Sequence, residues 1–309
     1  MKPARSQAPG CDARPGALSI DGLTVRIPVR HGEVVHAVTE LSLDLTAGTI
    51  TALVGESGCG KSIVASAVMG VLPRSAVTTG SVRLQLDGAD HLDILAGHQP
   101  YRGRHIALVP QSPGTHFTPV RTVGSQLAET ISTLGTTHTP AGLVERAGLA
   151  AAALDRYPHE LSGGMIQRAA VAAALAGDPA VIIADEPTSG LDHARTDQIG
   201  KLLRECADAG AAVLLITHDL GHLLRAGIAD TVAIMYASRL MEVGPAAQVL
   251  DDPWHAYTAD LLAALPERGL RPLPHPPRAL TNLTEDCPYA GAPTVLRRRD
   301  ERLIREPRS

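Results

Sequence analysis

Gly55-Glu56-Ser57-Gly58-Cys59-Gly60-Lys61-Ser62 constrains this chain more than any other stretch. The apolar run Ile50-Thr51-Ala52-Leu53-Val54 precedes it and reads as a buried strand. Ile63 to Leu72 follows at helix length and is closed by Pro73. Strand, glycine-rich loop ending in Gly-Lys-Ser, then helix is the context in which a chain cradles a polyphosphate. The glycines let backbone N–H groups point inward without Cβ clashes. Lys61 supplies a cation for the β- and γ-phosphates, and the Ser62 hydroxyl is placed to hold Mg²⁺. The helix N-terminus adds partial positive charge where the phosphates sit. An ordinary glycine-rich turn is the competing reading, and both flanking elements speak against it.

Such a loop needs a covered sheet behind it, and the chain can build one. Its 309 residues are 44% hydrophobic, enough for one large or two small domains with a core. A net charge of -4 gives no bulk attraction to nucleic acid or anionic lipid. Aromatics are 2% of residues, too sparse for a base-stacking nucleic-acid platform. Cys11, Cys59, Cys206 and Cys287 show no paired spacing, which argues for a reducing compartment and against a disulfide frame or zinc site. No apolar run approaches the roughly 20 residues of a membrane helix, and the first residues lack a signal-peptide core. A cytosolic chain is expected, unless partners carry it to a membrane.

Residues 1–17 are expected to form a disordered tail. Leu18–Ile27 and Val34–Leu45 alternate like half-buried antiparallel strands, and Ala47-Gly48 turns the chain into the phosphate-loop strand. Residues 80–87 give a further alternating strand and His105–Val109 a short buried one. Between 112 and 164, prolines and glycines separate helical pieces such as Val123–Leu134 and Ala141–Leu149, which reads as a small helical insertion. Then the α/β rhythm returns: helix Ser162–Gly177, strand Val181–Asp185, helix His193–Ala209, strand Val213–Thr217, and Thr231–Tyr236 with Leu240–Val243 as its natural partner. Such alternation means a mostly parallel sheet covered by helices. A helix near Tyr257–Leu265 and a Pro-rich, then Arg-rich tail close the chain, with no internal repeat.

Two more stretches carry chemistry. Val181 to Ala184 deliver Asp185 and Glu186 at a strand's C-terminal end, where open α/β sheets bind ligands. Asp185 is expected to reach the Mg²⁺ that Ser62 holds, and Glu186 to polarise a water aimed at the γ-phosphate. Leu161-Ser162-Gly163-Gly164-Met165 opens a second helix, with Ser162 as N-cap and bare N–H groups at Gly163 and Gly164 as a second anion site. As a helix cap alone it is unremarkable; beside a complete phosphate loop it suggests a site shared between two molecules.

In order, Gly55–Ser62, Gln111, Leu161–Met165, Asp185-Glu186, Ser189-Gly190-Leu191-Asp192 and His218 resemble the nucleotide-binding subunit of an ABC transporter over about residues 18–265. The resemblance implies a RecA-like phosphate-loop fold with an antiparallel β subdomain and a small helical subdomain, in a cassette of residues 18–250. It implies ATP and Mg²⁺, and two cassettes paired head to tail. Each ATP then lies between one subunit's Gly55, Glu56, Ser57, Gly58, Cys59, Gly60, Lys61 and Ser62 and the other's Ser162, Gly163 and Gly164. It further implies Ser62, Gln111 and Asp185 at the metal, Glu186 as general base, His218 on the γ-phosphate, and Asp192 communicating across the dimer. The family stacks an aromatic ring on adenine from a loop before the phosphate loop; residues 30–36 contain no Phe, Tyr or Trp, leaving His31 or Val35 in that place.

Phe117–Leu127, Pro253–Thr258, Leu261–Pro266 and Cys287–Ala290 are similar to segments of peptide and nickel importer subunits, so residues 251–309 read as that branch's C-terminal extension. Some members bind an iron–sulfur cluster there; Cys287 alone cannot supply the Cys₄ set, and no cluster is expected. The resemblance implies two transmembrane permease subunits, an extracytoplasmic solute-binding protein, a place on the cytoplasmic face of the membrane and no nucleic-acid partner. A soluble ABC ATPase acting on DNA or ribosomes is the alternative, and a kinase-like phosphate-loop enzyme a third. The first wants coiled-coil insertions, two cassettes or basic charge, and the second has no use for Leu-Ser-Gly-Gly. Cys59 reads as a small residue tolerated in the loop; a thiol whose pKa Lys61 lowers, open to oxidative inactivation, is the lesser reading.

Overall fold

The computed structural model describes residues 16–85, 91–97, 101–284, 286–287 and 289–308. The expected tail before Gly16, and the end of the expected strand 80–87, lie outside them. In chain order the strands are β1 (Gly16–Pro28), β2 (Val34–Thr46), β3 (Ile50–Val54), β4 (Val77–Gln85), β5 (His91–Asp93), β6 (Ile106–Val109), β7 (Val181–Asp185), β8 (Ala212–Thr217), β9 (Thr231–Tyr236), β10 (Arg239–Pro245), β11 (Thr294–Arg299) and β12 (Arg302–Pro307). A four-stranded antiparallel sheet runs β2-β1-β4-β5. An eight-stranded sheet runs β11-β12-β10-β9-β3-β8-β7-β6. From β9 to β6 its neighbours are parallel; β10, β12 and β11 extend it antiparallel. This is the expected α/β class.

The parallel strands are largely apolar because both faces are covered. Alternate side chains divide between two cores. Ile50, Ala52, Ile182, Ala184, Val213 and Leu215 enter one, with helices Gly163–Ala174 and His193–Asp208 over them. Leu53, Val181, Ile183, Leu214 and Ile216 enter the other, which they share with helix Lys61–Val68 and the antiparallel sheet. The phosphate-loop helix is shorter than its apolar run. Gly70, at φ +62°, turns the chain away before Pro73 is reached. Between β6 and β7 lie helices Val123–Leu134 and Pro140–Arg146, N-capped by Thr122 and Thr139.

The Arg-rich end is not a tail. Residues 294–307 form the hairpin β11–β12, and β12 pairs with β10 through Glu242↔Ile304 and Val243↔Leu303. Hydropathy hides it because the docking is ionic. Glu242, fully buried, accepts from Arg302 at 3.3 Å and from the N–H groups of Trp254 and His255 at 3.0 Å each. Arg302 also donates to the Asp252 carbonyl at 2.6 Å and lies over the Trp254 ring, 4.1 Å from its centroid. Arg305, buried too, donates to the Leu240 carbonyl at 2.7 Å. Arg297, Arg298 and Arg299 then fall on the sheet's edge strand, where charge discourages pairing with another chain.

His255 N-caps helix Ala256–Ala263, its Nδ1 accepting from the Tyr257 N–H at 3.0 Å. Burial, helped by the Arg305 charge, pushes its pKa down to about 4. The unfolded chain, with a histidine near 6.5, therefore binds this proton more readily than the native fold. Its contribution to stability is full above pH 6.5 and is lost as pH falls toward about 4, by up to roughly 1.4 kcal/mol per unit. His255→Asn keeps a cap acceptor but does not titrate, so denaturant unfolding across that window should show a shallower loss than wild type. Equal slopes in the two proteins would refute this origin.

Candidate active site

The site forms at the C-terminal ends of the parallel strands, the edge where open α/β sheets hold ligands. Residues 55–62 follow β3, His218 follows β8, Asp185 and Glu186 end β7, and Gln111 follows β6. Their order across the sheet is therefore loop, His218, acids, Gln111, not the order along the chain. Two glycines seat the loop. A Cβ on Gly55 would lie 2.1 Å from the Met235 carbonyl oxygen, and one on Gly60 at 2.1 Å from that of Ala37. Gly60 also holds φ +114°, a region closed to other residues without strain.

A cleft of about 400 Å³ opens in front of the loop. Ser57, Gly58, Gly60, Lys61, Ser62, Gln111 and Glu186 line its polar part, and Ile27, Val35, Ala37 and Leu280 its apolar part. Lys61 is buried and donates to the carbonyls of Gly55 and Glu56 at 2.7 and 2.9 Å, so the loop's own backbone holds the ammonium. Ser62 donates to Asp185 Oδ1 at 3.3 Å, bringing together two hard oxygens, one from the start of helix Lys61–Val68 and one from the end of β7. Burial lifts the Asp185 carboxyl above its ordinary pKa; the Ser62 hydrogen bond opposes this, Glu186 adds to it, and Lys61 opposes it in turn. Glu186 is buried, and its Oε2 lies 2.7 Å from His218 Nδ1. Its backbone stands at φ +49°, a strained position of the kind found where function sets the geometry.

Ser162, Gly163 and Gly164 do not line this cleft. Ser162 caps its helix by accepting from the Met165 N–H. Asp192 caps the next helix, accepting from the Arg195 N–H at 2.9 Å, and the Arg195 side chain crosses Gly164, where a Cβ would meet its Cδ at 3.0 Å. The segment around Asp192 is thus packed on the Ser-Gly-Gly turn, away from the chain's own phosphate loop.

The favoured reading of Cys59, a small residue tolerated in the loop, stands, and the lesser one falls. The Cys59 thiol is buried, and desolvation raises its pKa against the pull of Lys61, so a reactive thiolate is not what this loop holds. The Glu56 carboxylate accepts from the Tyr257 hydroxyl at 3.3 Å. That contact was invisible in sequence, as was the cluster behind it. Tyr257 packs against Tyr236 with ring centroids 4.5 Å apart, and Tyr289 stands edge-on to both. Of the two residues open for the adenine position, Val35 lines the cleft, and the His31 side chain lies outside the description.

The family profile of ABC transporters matches residues 38–189. An oligopeptide transport ATP-binding protein of Mycobacterium tuberculosis is 40% identical over 294 residues, covering 89% of this chain and 47% of the relative. The chain thus spans about half the length of that relative. A peptide import ATP-binding protein of Brucella abortus is 36% identical over 304 residues, covering 90% of this chain and 89% of the relative. Among solved structures, the dimeric post-hydrolysis state of an ATP-binding cassette bound to ADP and Pi aligns with a TM-score of 0.62 at 23% identity, covering 74% of this chain and 98% of that one.

Proposed function

The chain belongs to the ABC transporter family, and from that premise we propose that it is an ATP-binding and ATP-hydrolysing importer subunit energising uptake of peptides or of nickel as ion or chelate. The observation that carries this is the meeting at one cleft of a cation and a hydroxyl from the start of helix Lys61–Val68 with two carboxylates, Asp185 and buried Glu186, from the end of β7. The importer names of the relatives favour this over an ATPase acting on DNA or ribosomes.

The backbone N–H groups of residues 55–62 cradle the phosphates, and Lys61 neutralises the β- and γ-oxygens. Ser62 and Asp185 suit Mg²⁺, which asks for few protein ligands, all oxygen, and completes its shell with phosphate and water; Gln111 lines the same cleft. Bound there, Mg²⁺ supplies charge neutralisation for the transferring phosphoryl group. Glu186 accepts the proton of the attacking water as the oxygen bonds to the γ-phosphorus and ADP leaves. His218, held on Glu186, orients that carboxylate and reaches the γ-phosphate. Ser162, Gly163 and Gly164 face the ATP of a second cassette, and Asp192, packed beside them, relays its occupancy.

Among the described residues no helix is long and apolar enough to cross a membrane. In this reading two permease subunits carry the path, a solute-binding protein delivers the cargo, and this subunit docks peripherally at the cytoplasmic face. No nucleic-acid partner is proposed. The shared site has a kinetic signature. If each ATP is completed by a neighbour's Ser162–Gly164, turnover per chain must fall with dilution, and phosphate release should approach second order in protein at low concentration. Constant turnover per chain over a hundredfold dilution of the isolated subunit overturns the two-chain site.

A further inference from the structure

The cleft has two unlike ends. Lys61, Ser62, Gln111 and Glu186 make one end polar, and Ile27, Val35, Ala37 and Leu280 make the other apolar. Ile27, Val35 and Ala37 come from β1 and β2, beside the loop. Leu280 comes from the C-terminal extension and is brought here by main-chain bonds. The His36 N–H donates to the Leu280 carbonyl at 2.8 Å, and the Asn282 N–H to the Val34 carbonyl at 2.9 Å. The Val34 N–H donates in turn to Asn282 Oδ1 at 3.0 Å, and Val35 faces Thr281 as an antiparallel bridge. Asn282 takes φ +52°, a left-handed position that asparagine tolerates better than most residues. Residues 280–282 are therefore a strap laid on β2, the edge strand of the antiparallel sheet, and its first side chain enters the nucleotide cleft.

A nucleotide whose phosphates lie on the loop carries its flat, largely apolar base away from Lys61, toward that apolar end. Burying ring faces against aliphatic side chains is favourable without any hydrogen bond. Among the described residues no aromatic side chain lines the cleft, and aliphatic contact supplies this grip. Resting on the nucleotide reading of the site, we propose that Leu280 packs against the base of bound ATP. The C-terminal extension is then part of the nucleotide site rather than an appendage to it. The strap also gives that extension a means of sensing nucleotide: whatever pulls residues 280–282 off β2 removes one wall of the base site.

The test compares two ligands in the full-length chain: ATP, which has a base, and inorganic tripolyphosphate, which has none, both titrated calorimetrically with Mg²⁺. Leu280→Ala is expected to weaken ATP by roughly 5- to 30-fold, the size of effect that removing most of an aliphatic contact has. Tripolyphosphate affinity should stay within about twofold, because the loop is untouched. Leu280→Met, similar in volume, should hold ATP within about threefold of wild type. Asn282→Ala, which unfastens the strap from the Val34 N–H, should weaken ATP in the same selective way. ATP affinity unchanged in Leu280→Ala overturns the assignment. So does an equal loss for both ligands, which marks a collapse of the fold around the loop. Wild-type protein that binds neither ligand overturns the nucleotide reading itself, a result distinct from loss of the ATP preference alone.

Discussion

Glu186→Gln is expected to lower ATP hydrolysis by roughly 10²- to 10⁴-fold, the usual worth of a positioned general base, while ATP binds about as well as before. The geometry makes the substitution clean. Glutamine has the same length and can hydrogen-bond His218, which now touches Oε2 at 2.7 Å. The left-handed backbone at φ +49° is burdened no further, because both residues carry the same Cβ. What is lost is the capacity to take a proton from water. Phosphate release and equilibrium ATP binding should therefore part company: kcat falls and affinity stays. If turnover remained near wild type, Glu186 would lose its role as base, and another group would have to receive the proton. If binding were lost as well, Glu186 would be holding the cleft together.

Glu242→Ala should cost about 3–5 kcal/mol, the penalty typical of leaving one partner of a buried ion pair alone. The cause is local. The alanine orphans two backbone N–H groups, at Trp254 and His255, and takes from Arg302 a fully buried carboxylate partner. The melting temperature should drop by roughly 10 °C, given about 2–4 °C per kcal/mol for a domain of this size. Replacing the pair with apolar side chains, Glu242→Met with Arg302→Leu, should recover part of the loss, since neither charge then remains buried. A Glu242→Ala protein that melts within a degree or two of wild type would show that the β11–β12 hairpin does not depend on this pair for docking.

The apolar strands were readable because each is covered on both faces. Val181–Ala184 and Val213–Ile216 are unbroken apolar runs, Ile50–Val54 is interrupted only by Thr51, and the structure buries all of them. The C-terminal hairpin was not readable. Thr294–Pro307 has five arginines, and no hydropathy pattern marks Arg302 and Arg305 as buried; they are buried because Glu242, Leu240 and Thr294 meet them there. The lesser reading of Cys59, a thiol activated by Lys61, fails for a related reason. Sequence shows Lys61 two residues away, and only packing shows how completely water is excluded from the thiol.

The chemistry itself came from local order. A glycine-rich loop between strand and helix, two acids at a strand's end and a serine capping a glycine-started helix are each decided within about ten residues, because φ freedom, capping and strand polarity are near-neighbour properties. Which of these groups meet was decided by the crossovers. Strand order β3-β8-β7-β6 sets His218 against Glu186 and Asp185 against Ser62, and it keeps Ser162–Gly164 out of the cleft of their own chain. The same holds for Leu280 and Tyr257. They reach the loop only because the chain returns from its far end, and a contact of that range depends on the path of the backbone rather than on any pattern local to either residue.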